Sequence, residues 1–484
     1  MTLRVAIAGG GLAGLACAKD LAERGFAVSL IEALPYLGGR ASTFRDDDGD
    51  WVEQGLHIFL GVYAELRGLL RDVGQDPDDV LFWTDGIHVH DPLGPSASYG
   101  VSLYAPLRTA LSLLGQNRFL GPLDKLSLLP LVAPGLAPLE RLRRHYDGMT
   151  VVDWWRQVRG TDDVLERFVR PFCRGIQFTD ADDFSAYDFL GWVHHVAYGI
   201  LRHRLGGYRG ARDLTMFRPI ARHLASRGVS IRTGVRLREV GYDARAERVT
   251  GFGLEGGERM LADAYVLALP AWLLPPLLPT ALRARPGFTA LGALPTAPAI
   301  SVQLWLDRRV LPNGEYHLVA RSSSPVFQDQ ADETYPSALY GSRLSFIVSP
   351  ADGLLDRDDA SLVTEVTAGL RAVLPAARAA AVRKSVVLRH PQHLVRPLPG
   401  AMSSRPGQAT SVPNLFLAGD WTQQPFFGSQ EGAVRGGRAC AAALLAAARS
   451  GTLRAPPEAA APARGPRRGA ARAAPRRAAA RSRG

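Results

Sequence analysis

The sequence predicts an α/β fold, in which a parallel sheet built at the start of the chain receives an inserted second domain of mixed sheet and helices. The chain opens with an apolar run at 3–8, a glycine turn, a helical stretch at 15–24 and a second apolar run at 28–31. Runs without polar alternation are typical of buried parallel strands. A third such run, 415–418, precedes a helical stretch at 429–445 near the far end of the chain. With 484 residues, the chain exceeds one typical core, so we expect two domains.

The glycine turn predicts a dinucleotide-binding βαβ unit. Gly9, Gly11 and Gly14 form G-x-G-x-x-G between the predicted strand and helix, and Glu32 ends the second strand 18 positions after the last glycine. In this context Gly9 allows the tight turn, Gly11 lets the backbone approach a pyrophosphate, and Gly14 lets the helix pack on the strand. The helix start offers free N–H groups to the phosphates, and the Glu32 carboxylate can accept two ribose hydroxyls. A glycine-rich turn in an unrelated α/β protein is the alternative.

The next residues favour FAD over NAD. Gly38-Gly39-Arg40 follows Glu32 at the spacing of the FAD-dependent amine oxidase and carotenoid desaturase superfamily, which this chain resembles. The resemblance implies a Rossmann-like FAD-binding domain of the GR2 flavoprotein type and non-covalent FAD. Arg40 on its glycine turn can reach the flavin pyrophosphate. Ala13, Ala33 and Gly39 belong to the same predicted cofactor site.

A second motif narrows the resemblance. The sequence G-L-H-I-F-x-G-x-Y at 55–63 is similar to the plant and cyanobacterial phytoene and ζ-carotene desaturases. In that family the backbone around His-Ile and the tyrosine line the flavin site, which implies the same for His57, Ile58 and Tyr63. The resemblance also implies that the backbone of Val235 bonds to adenine. Taken alone, a histidine in an apolar patch is more typical of a structural residue.

The closing motif, 414–445, completes the predicted cofactor site. Asp420 follows a buried strand and can hold a ribityl hydroxyl, and the helix start at Ala433 suits the flavin C2 carbonyl. Phe426 and Phe427 are expected near the isoalloxazine, and Gln430 stands where the desaturases usually carry Met. Six residues match these enzymes in identity and spacing: Thr422, Gln424, Ser429, Glu431, Gly432 and Ala433.

The sequence predicts that the second domain is inserted between the pieces of the first. We expect a discontinuous FAD-binding domain at 1–80, 215–275 and 400–450. The substrate domain is expected at 81–214 and 276–399, and a disordered tail at 451–484. The tail holds nine Arg and one Glu, which supplies +8 of the net charge of +11. Because its composition lacks large apolar residues, it cannot build a core. The remaining charge is nearly balanced, so no specific nucleic-acid partner is predicted.

The leucine-rich stretch 101–140 has two interpretations. Pro and Gly interrupt it, so it predicts short apolar helices that form either substrate-domain core or a monotopic anchor in one membrane leaflet. No uninterrupted apolar run of about 18 residues occurs, which predicts no spanning helix. The first strand leaves no room for a signal peptide, so we expect a cytoplasmic protein, with membrane contact as the open question. Cys17, Cys173 and Cys440 lack metal or disulfide spacing and are expected to be buried, so no metal site is predicted.

Three activities remain open at this point. The first is dehydrogenation of a long isoprenoid, with hydride transfer to flavin N5 and electrons passed on to a quinone or oxygen. The second is hydroxysqualene dehydroxylation, whose family lacks the T-x-Q-x-F spacing found here. The third is amine oxidation, which commonly uses a lysine on the strand that here reads AISVQLWL, whereas no lysine lies between Lys125 and Lys384. A non-catalytic lipid carrier is a fourth, different class. No catalytic acid or base stands out.

Overall fold

A five-stranded parallel sheet joins both ends of the chain. The computed structural model describes residues 2–336 and 340–453, so nearly all of the predicted tail lies outside it. All four strand pairings are parallel, so the carboxyl ends of the strands meet at one edge. In spatial order the strands are Ser230–Thr233, Ala27–Glu32, Arg4–Ala8, Ala264–Leu267 and Leu415–Leu417. The predicted first and second strands and the strand near the end of the chain are confirmed.

Two helices from opposite ends of the chain pack against each other on this sheet. They are Leu12–Ala22 and Gln430–Arg449. Their crossing point needs a glycine, because a Cβ at Gly437 would stand 2.2 Å from the carbonyl oxygen of Ala13. Cys17 and Cys440 are both fully buried between these helices, and Cys173 is buried elsewhere, as predicted. Helices Ala64–Asp72 and Arg218–Ser226 complete the layer.

A seven-stranded mixed sheet forms the second large layer. In spatial order its strands are Val382–Val395, Thr296–Leu306, Ser342–Val348, Val326–Asp329, Tyr316–Val319, Gly86–His90 and Ser96–Gly100. Only Tyr316–Val319 and Gly86–His90 pair in parallel. Helix Asp359–Val373 covers one face, where Leu362 and Val366 pack on apolar residues of the central strands. The pairing between the first two strands carries a bulge near Pro391.

Smaller sheets fill the connections. The predicted antiparallel meander is confirmed as Leu237–Asp243, Arg248–Leu254 and Arg259–Met260. Strands Thr43–Arg45 and Trp51–Glu53 flank the acidic turn 46–50, and a third small sheet has the order Phe59–Leu60, Leu205–Tyr208, Leu81–Thr84. The described residues form one compact unit. The division into two domains stays a prediction. All strands of the parallel sheet fall in the ranges predicted for the FAD-binding domain, and all strands of the mixed sheet fall in those predicted for the substrate domain.

The remaining helices cluster around the leucine-rich stretch. The prediction of short helices there is confirmed, but the interpretation as core is wrong for most of its large apolar side chains, which are exposed. No helix in the described residues is long and apolar enough to cross a bilayer. The helices in and around the leucine-rich stretch are Pro106–Leu114, Pro122–Leu126, Val132–Leu136, Leu139–Tyr146, Val151–Gln157, Asp162–Val164, Arg170–Gln177 and Ala186–Tyr198. Three short helices lie elsewhere: Pro77–Val80, Thr280–Arg283 and Ala401–Ser404.

Candidate functional site

A cavity of about 440 Å³ opens at the carboxyl edge of the parallel sheet and extends to the mixed sheet. Ligands of open α/β sheets bind at this edge. All but two of the predicted cofactor residues line the cavity, Gly14 and Val235 being the exceptions. Those that line it are Gly9, Gly11, Ala13, Glu32, Ala33, Gly39, Arg40, His57, Ile58, Tyr63, Asp420, Gln430 and Ala433.

The glycine turn provides the phosphate end of the cavity. Gly9 has φ +113°, which favours glycine. A Cβ at Gly14 would stand 1.9 Å from the carbonyl oxygen of Gly9, so this glycine allows the helix to pack on the strand and does not line the cavity. A Cβ at Gly11 would meet nothing within 4 Å. The first turn of the following helix has no side-chain cap, so its N–H groups are available to an anion.

Glu32 joins two loops of the cavity wall, the glycine turn and the loop at Leu34. Its carboxylate accepts hydrogen bonds from the backbone N–H of Gly10 at 2.7 Å and of Leu34 at 2.8 Å. An ionised carboxylate offers about four acceptor positions, so two remain for hydroxyl groups. The N–H of Val235 donates to the Glu32 carbonyl oxygen at 2.8 Å, which fixes the neighbouring turn beside Arg236 in the cavity wall. The adenine contact expected of Val235 stays a prediction.

Arg40 and Asp420 lie on the same wall and bind each other. The Arg40 Nη2 donates to Asp420 Oδ1 at 2.5 Å, and its Nη1 donates to the carbonyl oxygen of His393 at 2.8 Å. The sequence predicted separate roles for the two side chains, on the pyrophosphate and on a ribityl hydroxyl. The structure adds that the two side chains form an ion pair. An anion bound by Arg40 and a hydroxyl bound by Asp420 would therefore lie next to each other.

The opposite end of the cavity is formed by the motif at 55–63 and the start of the closing helix. His57 Nδ1 donates to the Gly55 carbonyl oxygen at 2.6 Å. Gln430 Oε1 accepts from the Tyr208 hydroxyl at 2.5 Å, and its Nε2 donates to the Ile58 carbonyl oxygen at 3.4 Å. Gln430 therefore replaces the family's Met with a side chain that fixes this part of the wall.

The start of the closing helix also anchors a neighbouring helix. Buried Glu431 accepts the backbone N–H groups of Glu65 at 3.0 Å and of Leu66 at 2.9 Å, and so caps Ala64–Asp72. Burial raises the pKa of this carboxyl, while these bonds and Arg435 oppose the shift. Because Tyr63 immediately precedes the capped helix, Glu431 fixes the position of a cavity-lining ring.

The expected closeness of Phe426 and Phe427 to the isoalloxazine stays a prediction. Phe426 does not line the cavity; it stacks on His195 at 3.7 Å between ring centroids and meets Tyr63 edge-on. Phe427 lies against the guanidinium of Arg405. Gln177 donates to the backbone carbonyl group of Phe427 and Arg405 to that of Thr422, and these bonds hold the closing loop in place.

Several lining residues were not predicted from the sequence. Gln54 follows strand Trp51–Glu53. The others come from the mixed sheet and from the helices before it, and comprise Phe178, Trp192, Ser301, Ile347, His390, His393 and Leu394. Only Pro391, which interrupts a strand-like run at 385–393 and suggests a local irregularity there, was a usable signal for two of them. Phe178, Trp192, Ile347 and Leu394 form an apolar wall, and the other four residues add polar groups beside it.

The donors and space fit a dinucleotide. The open position above Gly11, the uncapped helix start and the two free acceptor positions of Glu32 suit a pyrophosphate beside a ribose. The backbone of Gly38 and Gly39, both with positive φ, allows close approach on the second side. The cavity then continues past this region to the apolar wall.

The chain is similar to known flavoproteins over most of its length. The model of the family described as flavin containing amine oxidoreductase matches residues 12–445. A protein named 15-cis-phytoene desaturase from Synechococcus elongatus is 30% identical over 92% of this chain and 96% of its own length. A protein of the same name from Solanum lycopersicum is 29% identical, covering 92% of this chain and 78% of that protein.

Solved structures agree on the fold. An oxidoreductase from Methanosarcina mazei superposes with a TM-score of 0.69 at 16% identity, over 90% of this chain and 99% of that one. Reduced UDP-galactopyranose mutase superposes with a TM-score of 0.67 at 14% identity, over 93% and 97%. The α/β fold predicted from the sequence is confirmed, and the chain belongs to the flavin containing amine oxidoreductase family, which implies a flavin cofactor.

Proposed function

We propose that this protein is an FAD-dependent desaturase of a long isoprenoid, most directly an acyclic carotene. The observation that carries the proposal is the cavity itself. One end offers the acceptor and donor set of a dinucleotide site, and the other end is walled by Ile58, Phe178, Ile347 and Leu394. Relatives named phytoene desaturase and zeta-carotene desaturase support carotenes as the substrate class.

Each part of the cavity then has a task in this reaction. Glu32 binds the ribose, the helix start at 12–22 binds the pyrophosphate, and the helix start near Ala433 stabilises negative charge on the ring system. When bound, FAD supplies the hydride acceptor, and a quinone or oxygen takes the electrons afterwards. The apolar wall excludes water and binds a hydrocarbon through burial, at about 25 cal/mol per Å².

The geometry argues against amine oxidation. No lysine lines the described part of the cavity. Lys384 pairs across the sheet with Trp305 on the strand where amine oxidases commonly carry their lysine, but its ammonium group binds three carboxylates of the acidic turn, each at 2.7 Å. This lysine is therefore held away from the cofactor site.

An exposed apolar surface suits a lipid-soluble substrate. We call it the leucine face; its exposed members are Leu103, Tyr104, Leu107, Leu111, Leu113, Leu114, Leu123, Leu126, Leu129, Val132, Leu136, Tyr198, Ile200 and Leu201. Contiguous exposed apolar residues mark a membrane or protein interface. Helix Ala186–Tyr198 connects this face to the cavity, because Trp192 lines the cavity and Tyr198 lies six residues, or about 9 Å, further along. We propose that the leucine face rests in one membrane leaflet.

Replacing Leu107, Leu111 and Leu114 together with Ser tests the membrane proposal. These side chains are 60–76% exposed in the structure, so the melting temperature should not change, while co-sedimentation with liposomes should fall at least roughly fivefold as apolar contact is lost. The matched control replaces the exposed Leu214 and Leu261 with Ser, since both lie outside the leucine face and neither lines the cavity. Equal liposome binding by both variants would contradict the proposal.

Expression in bacteria that accumulate a defined precursor tests the activity. In cells that accumulate phytoene or ζ-carotene, the protein should produce carotenes with more conjugated double bonds, detected by chromatography. In cells that accumulate hydroxysqualene, squalene should not appear. Squalene formation without any change in carotenes would favour the dehydroxylase over the desaturase.

A further inference from the structure

Three histidines meet on the wall of the cavity, although one lies more than 330 residues before the other two. His57 comes from the motif at 55–63, and His390 and His393 come from the edge strand Val382–Val395 of the mixed sheet. The rings of His390 and His393 are 4.7 Å apart between centroids. The ring of His393 also meets Phe178 edge-on at 5.1 Å.

A bulge brings the two strand histidines to the same side. In a regular strand, successive side chains point to opposite faces, so residues 390 and 393 would diverge. Here Ala297 pairs with Leu394 and Ala299 pairs with His390, so three residues of the edge strand oppose the single residue Pro298. Extra residues of this kind redirect a side chain, often beside a functional site, and both imidazoles face the cavity.

Backbone carbonyls fix which ring nitrogens carry hydrogen. His390 Nε2 lies 2.6 Å from the carbonyl oxygen of Gln54, and His57 Nδ1 lies 2.6 Å from that of Gly55. A carbonyl oxygen only accepts, so these nitrogens are the donors and His390 Nδ1 and His57 Nε2 hold lone pairs. An imidazole oriented through one nitrogen, with the other free to accept, has the arrangement of a general base.

The surroundings keep these rings neutral. Burial lowers the pKa of His57, His390 and His393, and the Arg40 guanidinium lowers each of them further. A neutral imidazole can accept a proton, whereas an imidazolium cannot. Such a ring is a weak base, but positive charge that develops on a hydrocarbon makes its neighbouring C–H bond strongly acidic, so a weak base is sufficient.

We propose that His390, with His393 beside it, accepts the proton released during dehydrogenation. This inference rests on the proposed function. One C–H bond breaks and its electron pair leaves as hydride to the flavin, which is reduced by two electrons. The adjacent C–H bond breaks, its electron pair forms the new carbon–carbon double bond, and its proton goes to Nδ1 of His390.

Anaerobic mixing of the oxidised holoenzyme with phytoene in liposomes tests the proposal. His390→Gln should slow flavin reduction by roughly two orders of magnitude, while the Kd for FAD, measured by titration into the apoprotein, stays within about twofold. Added imidazole should restore part of the rate in His390→Ala, which a purely structural role would not predict. The control His223→Gln changes a histidine that binds Glu23 outside the cavity and should reduce flavin at the normal rate.

The outcomes separate the two proposals. If phytoene reduces the flavin of the unaltered enzyme and also that of His390→Gln and His393→Gln within threefold of its rate, the histidine proposal is overturned and the desaturase proposal stands. If no carotene reduces the unaltered enzyme, both fail. An independent readout is the ¹⁵N NMR spectrum of the histidine rings, in which the signal lost in His390→Gln should be that of an Nε2–H tautomer; an Nδ1–H tautomer would contradict the assignment of the acceptor.

Discussion

Replacing Glu32 with Ala is the sharpest test of the cofactor site. The structure gives this side chain two tasks, since its carboxylate joins the glycine turn to the loop at Leu34 through bonds of 2.7 and 2.8 Å and keeps two positions free for a ribose. A hydrogen bond to a charged group contributes about 1.5–3 kcal/mol. Because Glu32 is only half-buried, we take the lower end and expect the apoprotein to lose about 2–3 kcal/mol of unfolding free energy.

The same substitution should weaken FAD binding by a free energy similar to the loss of stability. Losing both ribose bonds removes about 2–3 kcal/mol, which raises the Kd by roughly 30- to 150-fold. Titration of FAD into the apoprotein, followed by flavin fluorescence, measures the Kd, and urea unfolding measures the stability. Glu32→Gln keeps one acceptor oxygen, so its Kd and its stability should lie between those of the unaltered protein and those of Glu32→Ala.

The matched control is Glu258→Ala. Glu258 also bonds to a neighbouring element, through Arg232 at 2.6 Å, but its side chain is 53% exposed and does not line the cavity. It should change neither FAD affinity nor stability measurably. A rise of less than threefold in the Kd of Glu32→Ala, or an equal rise in the control, would refute the role assigned to Glu32.

Two further predictions concern the scaffold. Gly14→Ala places a Cβ 1.9 Å from the carbonyl oxygen of Gly9, so the helix must shift, and we expect a loss of about 1–3 kcal/mol by urea unfolding together with weaker FAD binding; an unchanged Kd would contradict this. Burial raises the pKa of Asp188 to about 7, so its ionisation opposes folding and stability falls as the pH rises from about 4 to 7, by up to about 1.4 kcal/mol per unit. Asp188→Asn should therefore gain stability relative to the unaltered protein at pH 8 but not at pH 4, and equal differences at both would show that folding does not raise the pKa of Asp188.

Local patterns were sufficient to predict the cofactor half of the molecule. The apolar runs at 3–8, 28–31 and 415–418 predicted buried parallel strands because they lack polar alternation, and Gly9 and Gly14 are needed where the helix approaches the sheet. These local features determine where the carboxyl ends of the strands meet. Most of the predicted cofactor residues therefore line the cavity. Arg40 and Asp420 were both identified, but their ion pair across 380 positions depends on the tertiary fold.

Two features of the site could not be derived from local patterns. His390 and His393 face the cavity because of a bulge against Pro298, and a bulge depends on a pairing between strands about 90 residues apart. The leucine-rich helices were ambiguous for a different reason, since an apolar stripe is equally consistent with a protein core and with a membrane surface. Only the exposure of side chains such as Leu107 and Leu114 separates the two.

Anaerobic flavin reduction by a carotene tests the central claim most directly. Oxidised holoenzyme is mixed with phytoene, ζ-carotene or hydroxysqualene in liposomes, and flavin absorbance and product are recorded in the same sample. The account predicts bleaching of the flavin by an acyclic carotene and a stoichiometric product with additional conjugated double bonds. Bleaching by a polyamine alone, or formation of squalene from hydroxysqualene without any carotene product, would contradict it.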